Sequence, residues 1–145
     1  MSMEADVAFL DDVDRAKADR VTVAIGEDSN FHQVRGYYAE GIHLETATLP
    51  DGWRDRLLPW PIPAGANGPA TLASFLDRHD LAVAKLAAFS EKDIRFVSEF
   101  IRAELIDPEV VRDRLKHADL HPVARQRAVG LLDGLLGGGV ARPQP

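Results

Sequence analysis

The stretch Leu57-Leu-Pro59-Trp60-Pro61-Ile62-Pro63 constrains this chain more than any other. Each proline removes a ladder donor, so the segment can form only an edge strand or a polyproline-like run. The extended structure around it is limited in extent. Ser2 to Leu10 reads as a short strand, and Tyr37 to Leu44 and Thr46 to Leu49 read as extended, with aromatic and β-branched residues between glycines. Ala70 to Leu76 reads as another strand, reached through a loop over Ala64 to Pro69. Between Asp11 and Gly26, Val13, Ala16, Val21 and Ala24 fall on one helical stripe, while the Val-Thr-Val tract favours a strand. Gly26-Glu-Asp-Ser-Asn30 reads as a turn.

From Asp80 onward every signal is helical. Asp80 suits an N-cap, and Ser90-Glu-Lys-Asp93 resembles a capping box with Asp in place of the usual Glu. Ile94, Val97, Ile101 and Leu105 then form an apolar stripe flanked by Phe100. Asp107-Pro108 opens a third helix and Pro122 a fourth, since proline fits the first helical turn. The fourth is expected to bury Val123, Leu131, Leu132 and Leu135. The fold expected is α+β, with a small mixed β-sheet followed by a four-helix C-terminal half. Residues 1–136 are expected to form a single domain and residues 137–145 a flexible tail.

The 145 residues suffice for a buried core. The net charge of −6 argues against a general nucleic-acid binder, which needs excess positive charge. Without cysteine there is no disulfide framework, thiolate metal site or cysteine nucleophile. No apolar run reaches membrane-spanning length and the start is no signal peptide, so a cytoplasmic protein is expected.

Two groups could carry chemistry. On a strand, Glu4 and Asp6 face the same side about 6–7 Å apart, with Met3, Ala5 and Val7 on the other. Two carboxylates so placed can share a hard cation such as magnesium, a common way to run phosphoryl or nucleotidyl transfer, although acids near a terminus are more often solvated surface. Lys85 lies among Leu81, Ala82, Ala84, Leu86 and Ala87. It either snorkels out of a packed helix or points at something anionic, a phosphate being the natural partner of a point cation. Lys92 and Arg95 can extend the same basic face. His117 and His121 are four apart, but Pro122 breaks the helix that would pair them on a metal. Ser29 and Ser74 lack triad partners, and no glycine-rich phosphate loop is present. Trp53, Trp60, Tyr37 and Tyr38 read as core or edge-packing residues.

The run Phe31 to Leu57, with Glu45-Thr-Ala-Thr-Leu-Pro-Asp-Gly-Trp53 at its centre, resembles a bacterial family of nucleotidyltransferase-like proteins. His79-Asp80-Leu-Ala-Val-Ala-Lys85-Leu and Glu91-Lys92-Asp93 carry the same resemblance. That family is related to the nucleotidyltransferase toxins of toxin–antitoxin and abortive-infection systems. The resemblance implies a polymerase-β-like core, with Met3-Glu4-Ala5-Asp6-Val7 matching its acid strand. It implies that Glu4 and Asp6 hold magnesium, that Asp6 and Lys85 are catalytic, and that Lys85 and Lys92 bind the nucleotide. Glu45 and Asp80 are candidates for a third acid. The chain begins at the acid strand, so the family's upstream strand, Gly-Ser turn and helix are expected to be missing and activity weakened. The partners implied are a nucleoside triphosphate, an RNA or protein acceptor and an antitoxin. The rival reading is a non-catalytic module that forms a homo-oligomer, or takes a partner, through an exposed sheet edge.

Overall fold

The computed structural model describes residues 3–12, 14–65 and 68–137. These form two compact units, Met1–Ala47 and Thr48–Pro145. The tail expected at 137–145 lies, apart from Gly137, outside the described residues.

In the first unit β1 (Glu4–Val7) and β2 (Tyr38–Gly41) pair in parallel. Parallel neighbours cannot be joined by a tight turn and need a crossover. Here α1 (Ala16–Ile25) and α2 (Asn30–Arg35) supply it. The Asp12 carboxylate starts α1 by accepting from the amides of Lys17 (2.9 Å) and Ala18 (2.7 Å). This satisfies donors that a helix start leaves open, and the Val-Thr-Val tract runs on as helix despite its branching. The expected stripe is not the buried one. Ala16 and Ala24 are exposed, Val13 lies outside the described residues, and Ala18 is the buried position. Ala18 is buried because α1 lies directly against β2. A Cβ on Gly41 would stand 1.9 Å from the Ala18 carbonyl oxygen, and the Gly41 amide donates to the Thr22 hydroxyl at 2.9 Å. Ser29 caps α2, and Gly36 ends it at φ 75°.

The second unit opens on a 3-10 turn at Trp53–Arg56 and an antiparallel hairpin. Its strands are β3 (Leu58–Ile62) and β4 (Thr71–Phe75), with Leu58 opposite Phe75 and Ile62 opposite Thr71. The proline-rich segment is therefore a strand of a two-stranded sheet. The α+β class holds, with the strands of the described residues divided into two separate pairs. Four helices follow as expected: α3 (Arg78–Ala88), α4 (Glu91–Arg102), α5 (Pro108–Lys116) and α6 (Pro122–Gly137). Asp80 is not the α3 cap. Asp77 caps it, its carboxylate accepting from the His79 amide at 2.9 Å. Ser90 and Asp107 cap α4 and α5.

The core of this unit joins Ala82, Val83 and Leu86 of α3 to Val97, Ile106, Val111, Leu115, Ala128 and Leu132. Full burial of a leucine is worth about 2–3 kcal/mol, so Leu86, Leu115 and Leu132 alone anchor three helices. Two expected core positions lie outside it. Leu105 follows the end of α4, where the chain turns at Glu104 (φ 55°), and Ile106 enters the core instead. Val123 is in the first turn of α6 and is 67% exposed. Trp60 and Tyr37 are likewise exposed rather than core.

Candidate functional site

The parallel register of the first unit gathers acids on one face. Glu4 stands opposite Tyr38 and Asp6 opposite Glu40. Residues paired in register point to the same side, with neighbouring strands about 4.8 Å apart. Glu4, Asp6 and Glu40 therefore share a face with Tyr38. Glu4 is half-buried and Asp6 is exposed. Glu40 is held in place, one carboxylate oxygen accepting from the Glu27 amide at 2.8 Å. The Tyr38 ring lies 4.6 Å from the His32 ring. Partial burial pushes the Tyr38 phenol up, and the carboxylates of Glu27, Glu40, Asp6 and Asp28 push it the same way. The face is thus negative and suited to a cation. Glu40 was not singled out in the sequence, because only the pairing register brings it beside Asp6. Glu45 is exposed on a 3-10 turn at Leu44–Thr46.

Among the described residues no three His, Asp or Glu are gathered as a metal cluster. Magnesium does not require one: it takes one or two carboxylates and completes its shell with water and substrate phosphates. The all-oxygen donor set of Glu4 and Asp6 fits that chemistry.

In the second unit Lys85 occupies the last turn of α3, half-buried. Its ammonium pairs with Asp93 at 3.1 Å. Asp93 is buried and also accepts from the Ser90 hydroxyl at 2.6 Å, while its amide donates back to Ser90 at 3.1 Å. The capping pair that starts α4 therefore also fixes the lysine head. Lys92 is exposed on the first turn of α4.

Asp80 has another environment. It is fully buried, and Arg56 reaches both of its oxygens, at 2.9 and 3.0 Å. Arg114 of α5 donates to it at 2.8 Å and also binds Asp77. His79 accepts the Asp107 amide at Nε2 (3.0 Å), so its proton sits on Nδ1 and is donated to Asp77 at 3.1 Å. Partial burial works to raise the Asp77 carboxyl, but the His79 amide, Arg114 and the His79 ring outweigh it and bring it down to about 2. The network ties the 3-10 turn at Trp53–Arg56 to the starts of α3 and α5. A cavity of about 320 Å³ lies along Leu49–Asp55 beside it, and the Arg54 guanidinium stacks 4.7 Å over the Trp53 ring.

His117 ends α5 and His121 precedes α6, on separate elements as Pro122 requires. Among the described residues no helix is long and apolar enough to cross a membrane. The family described as nucleotidyltransferase of unknown function (DUF6036) matches residues 4–130, which include β1, β2 and all the residues above. No curated protein and no solved structure matches the chain.

Proposed function

Because this chain belongs to that nucleotidyltransferase family, we propose that it is a magnesium-dependent nucleotidyltransferase acting on a nucleoside triphosphate and an RNA or protein acceptor. The observation that carries the reading is the acid face of the first unit, where Glu4, Asp6 and Glu40 share one side of a parallel strand pair. Glu4 and Asp6 would hold magnesium, which supplies charge to offset the phosphate oxygens. Glu40, directly opposite Asp6 in the register, adds negative charge to that face beside the two ligands. Asp80, with both oxygens engaged by arginines, is assigned to the fold.

Within the second unit, taken by itself, Lys85, its ammonium oriented by Asp93, and Lys92 offer cations to a phosphate. In the transfer, an acceptor hydroxyl oxygen bonds to the α-phosphorus. The bond from that phosphorus to the bridging oxygen breaks, pyrophosphate leaves, and the hydroxyl proton passes to solvent. A toxin-like role, with an antitoxin as partner, belongs to the same proposal.

The test is titration of the protein with a fluorescent nucleoside triphosphate, with and without magnesium, followed by incubation with labelled triphosphates and total RNA or protein. Magnesium-dependent binding and labelled acceptor are expected. Asp6→Asn should remove both while leaving the helical circular dichroism intact. Absence of nucleotide binding in the unaltered chain, or full transfer by Asp6→Asn, rejects the proposal.

A further inference from the structure

Residues 57–75 contain no Asp, Glu, Lys, Arg or His, in a chain that is 28% charged. This uncharged run forms the β3–β4 hairpin. Side chains alternate across a strand, so Leu58, Trp60 and Ile62 share a face with Phe75, Ala73 and Thr71 opposite them. The four large ones are in water: Leu58 is 54% exposed, Trp60 62%, Ile62 43% and Phe75 57%. Trp60 and Phe75 meet edge to face at 6.3 Å, which organises the face without covering it. A two-stranded hairpin with nothing on it is marginal, and solvated apolar faces of this kind mark interaction sites.

The hairpin's own edge narrows what can cover it. Pro59 and Pro61 have no N–H to give β4, so the inward donors of β3 must be Leu58, Trp60 and Ile62. The outer edge of β3 therefore presents prolines and cannot donate to an added strand. The face remains. A charged partner surface laid on it would lose water without gaining a counter-charge. The covering surface must itself be apolar and uncharged, and every copy of this chain carries one.

We infer that the β3–β4 hairpin is a homodimerisation arm, in which the Leu58, Trp60, Ile62 and Phe75 faces of two copies pack together about a twofold axis. Such an interface is self-complementary by symmetry. At about 150–250 Å² per large side chain, the exposed parts of the four residues leave about 320–540 Å² per copy to bury. Two copies then remove about 650–1,100 Å² together, at or below the low end for a specific interface, so the dimer is weak.

The experiment is sedimentation equilibrium of the full chain from about 5 to about 500 µM, where a weak dimer assembles. The mass should climb from 15.9 kDa towards twice that value. The double variant Trp60→Ser, Phe75→Ser should stay monomeric throughout, with unchanged helical circular dichroism and melting, because both side chains already face water in one copy. A chain that stays monomeric to the highest concentration overturns the inference, as does a double variant that dimerises as well as the unaltered chain. Ser74→Pro blocks one of the two outer donors of β4, the other being Leu72. Dimerisation lost in that variant but kept in the double one would mean edge pairing and overturn face packing. A monomer whose Trp60 binds phosphatidylcholine vesicles would instead assign the arm to a lipid surface.

Discussion

Asp80→Asn separates a structural acid from a catalytic one. The side chain is fully buried and accepts three charge-assisted hydrogen bonds, two from Arg56 and one from Arg114. Asparagine keeps the shape, removes the charge and turns one acceptor into a donor aimed at a guanidinium. Breaking one partner of a buried ion pair typically costs about 3–5 kcal/mol, mostly because the remaining charge is stranded. Arg56 and Arg114 retain 31% and 19% side-chain exposure and Arg114 keeps Asp77, so both recover part of their hydration or pairing. The expected cost is therefore at the low end, about 3 kcal/mol, a large share of the roughly 5–15 kcal/mol that holds a domain together. In a domain near 100 residues that lowers Tm by about 10–20 °C. Thermal melts followed by circular dichroism measure it, with Arg102→Ala as the control. That variant breaks an exposed helical pair with Glu99 and should cost less than about 0.5 kcal/mol. If Asp80→Asn melts with the control yet loses nucleotide transfer, the structural assignment is refuted and Asp80 takes part in the chemistry.

Three further outcomes follow from the geometry. Gly41→Ala must separate α1 from β2, since its Cβ would meet the Ala18 carbonyl at 1.9 Å; unfolding or loss of about 3 kcal/mol in the first unit is expected by amide hydrogen exchange. Ser90→Ala removes the α4 cap and the hydroxyl bound to Asp93, for a loss of about 1–2 kcal/mol in urea melts. Asp77, depressed to about 2 from 3.8, contributes stability that is complete above pH 3.8 and vanishes as pH falls through about 2. The amount is about 2 kcal/mol, and Asp77→Asn should flatten that acid limb of the stability curve.

Local signals made much of the fold legible. Ser90 and Asp107-Pro108 mark helix starts because capping is chemistry between residues two or three apart. The alternating prolines restrict β3 to an edge for an equally local reason, the missing donor. Asp80 misled as a cap because Asp77, three residues earlier, offers the same chemistry and also meets Arg114. Leu105 fits a helical stripe on paper, yet the chain turns before reaching it. The acid pair Glu4 and Asp6 was visible from its spacing, but Glu40 was not. Its place beside Asp6 depends on the register of two strands joined through two helices, and nothing in the residues near Glu40 states that register. What one turn of chain can settle, the sequence alone determined: caps, breaks, and which strand must be an edge. Which carboxylate meets a guanidinium and which meets another acid was decided by tertiary packing. That choice depends on groups dozens of residues apart being brought within a few ångströms.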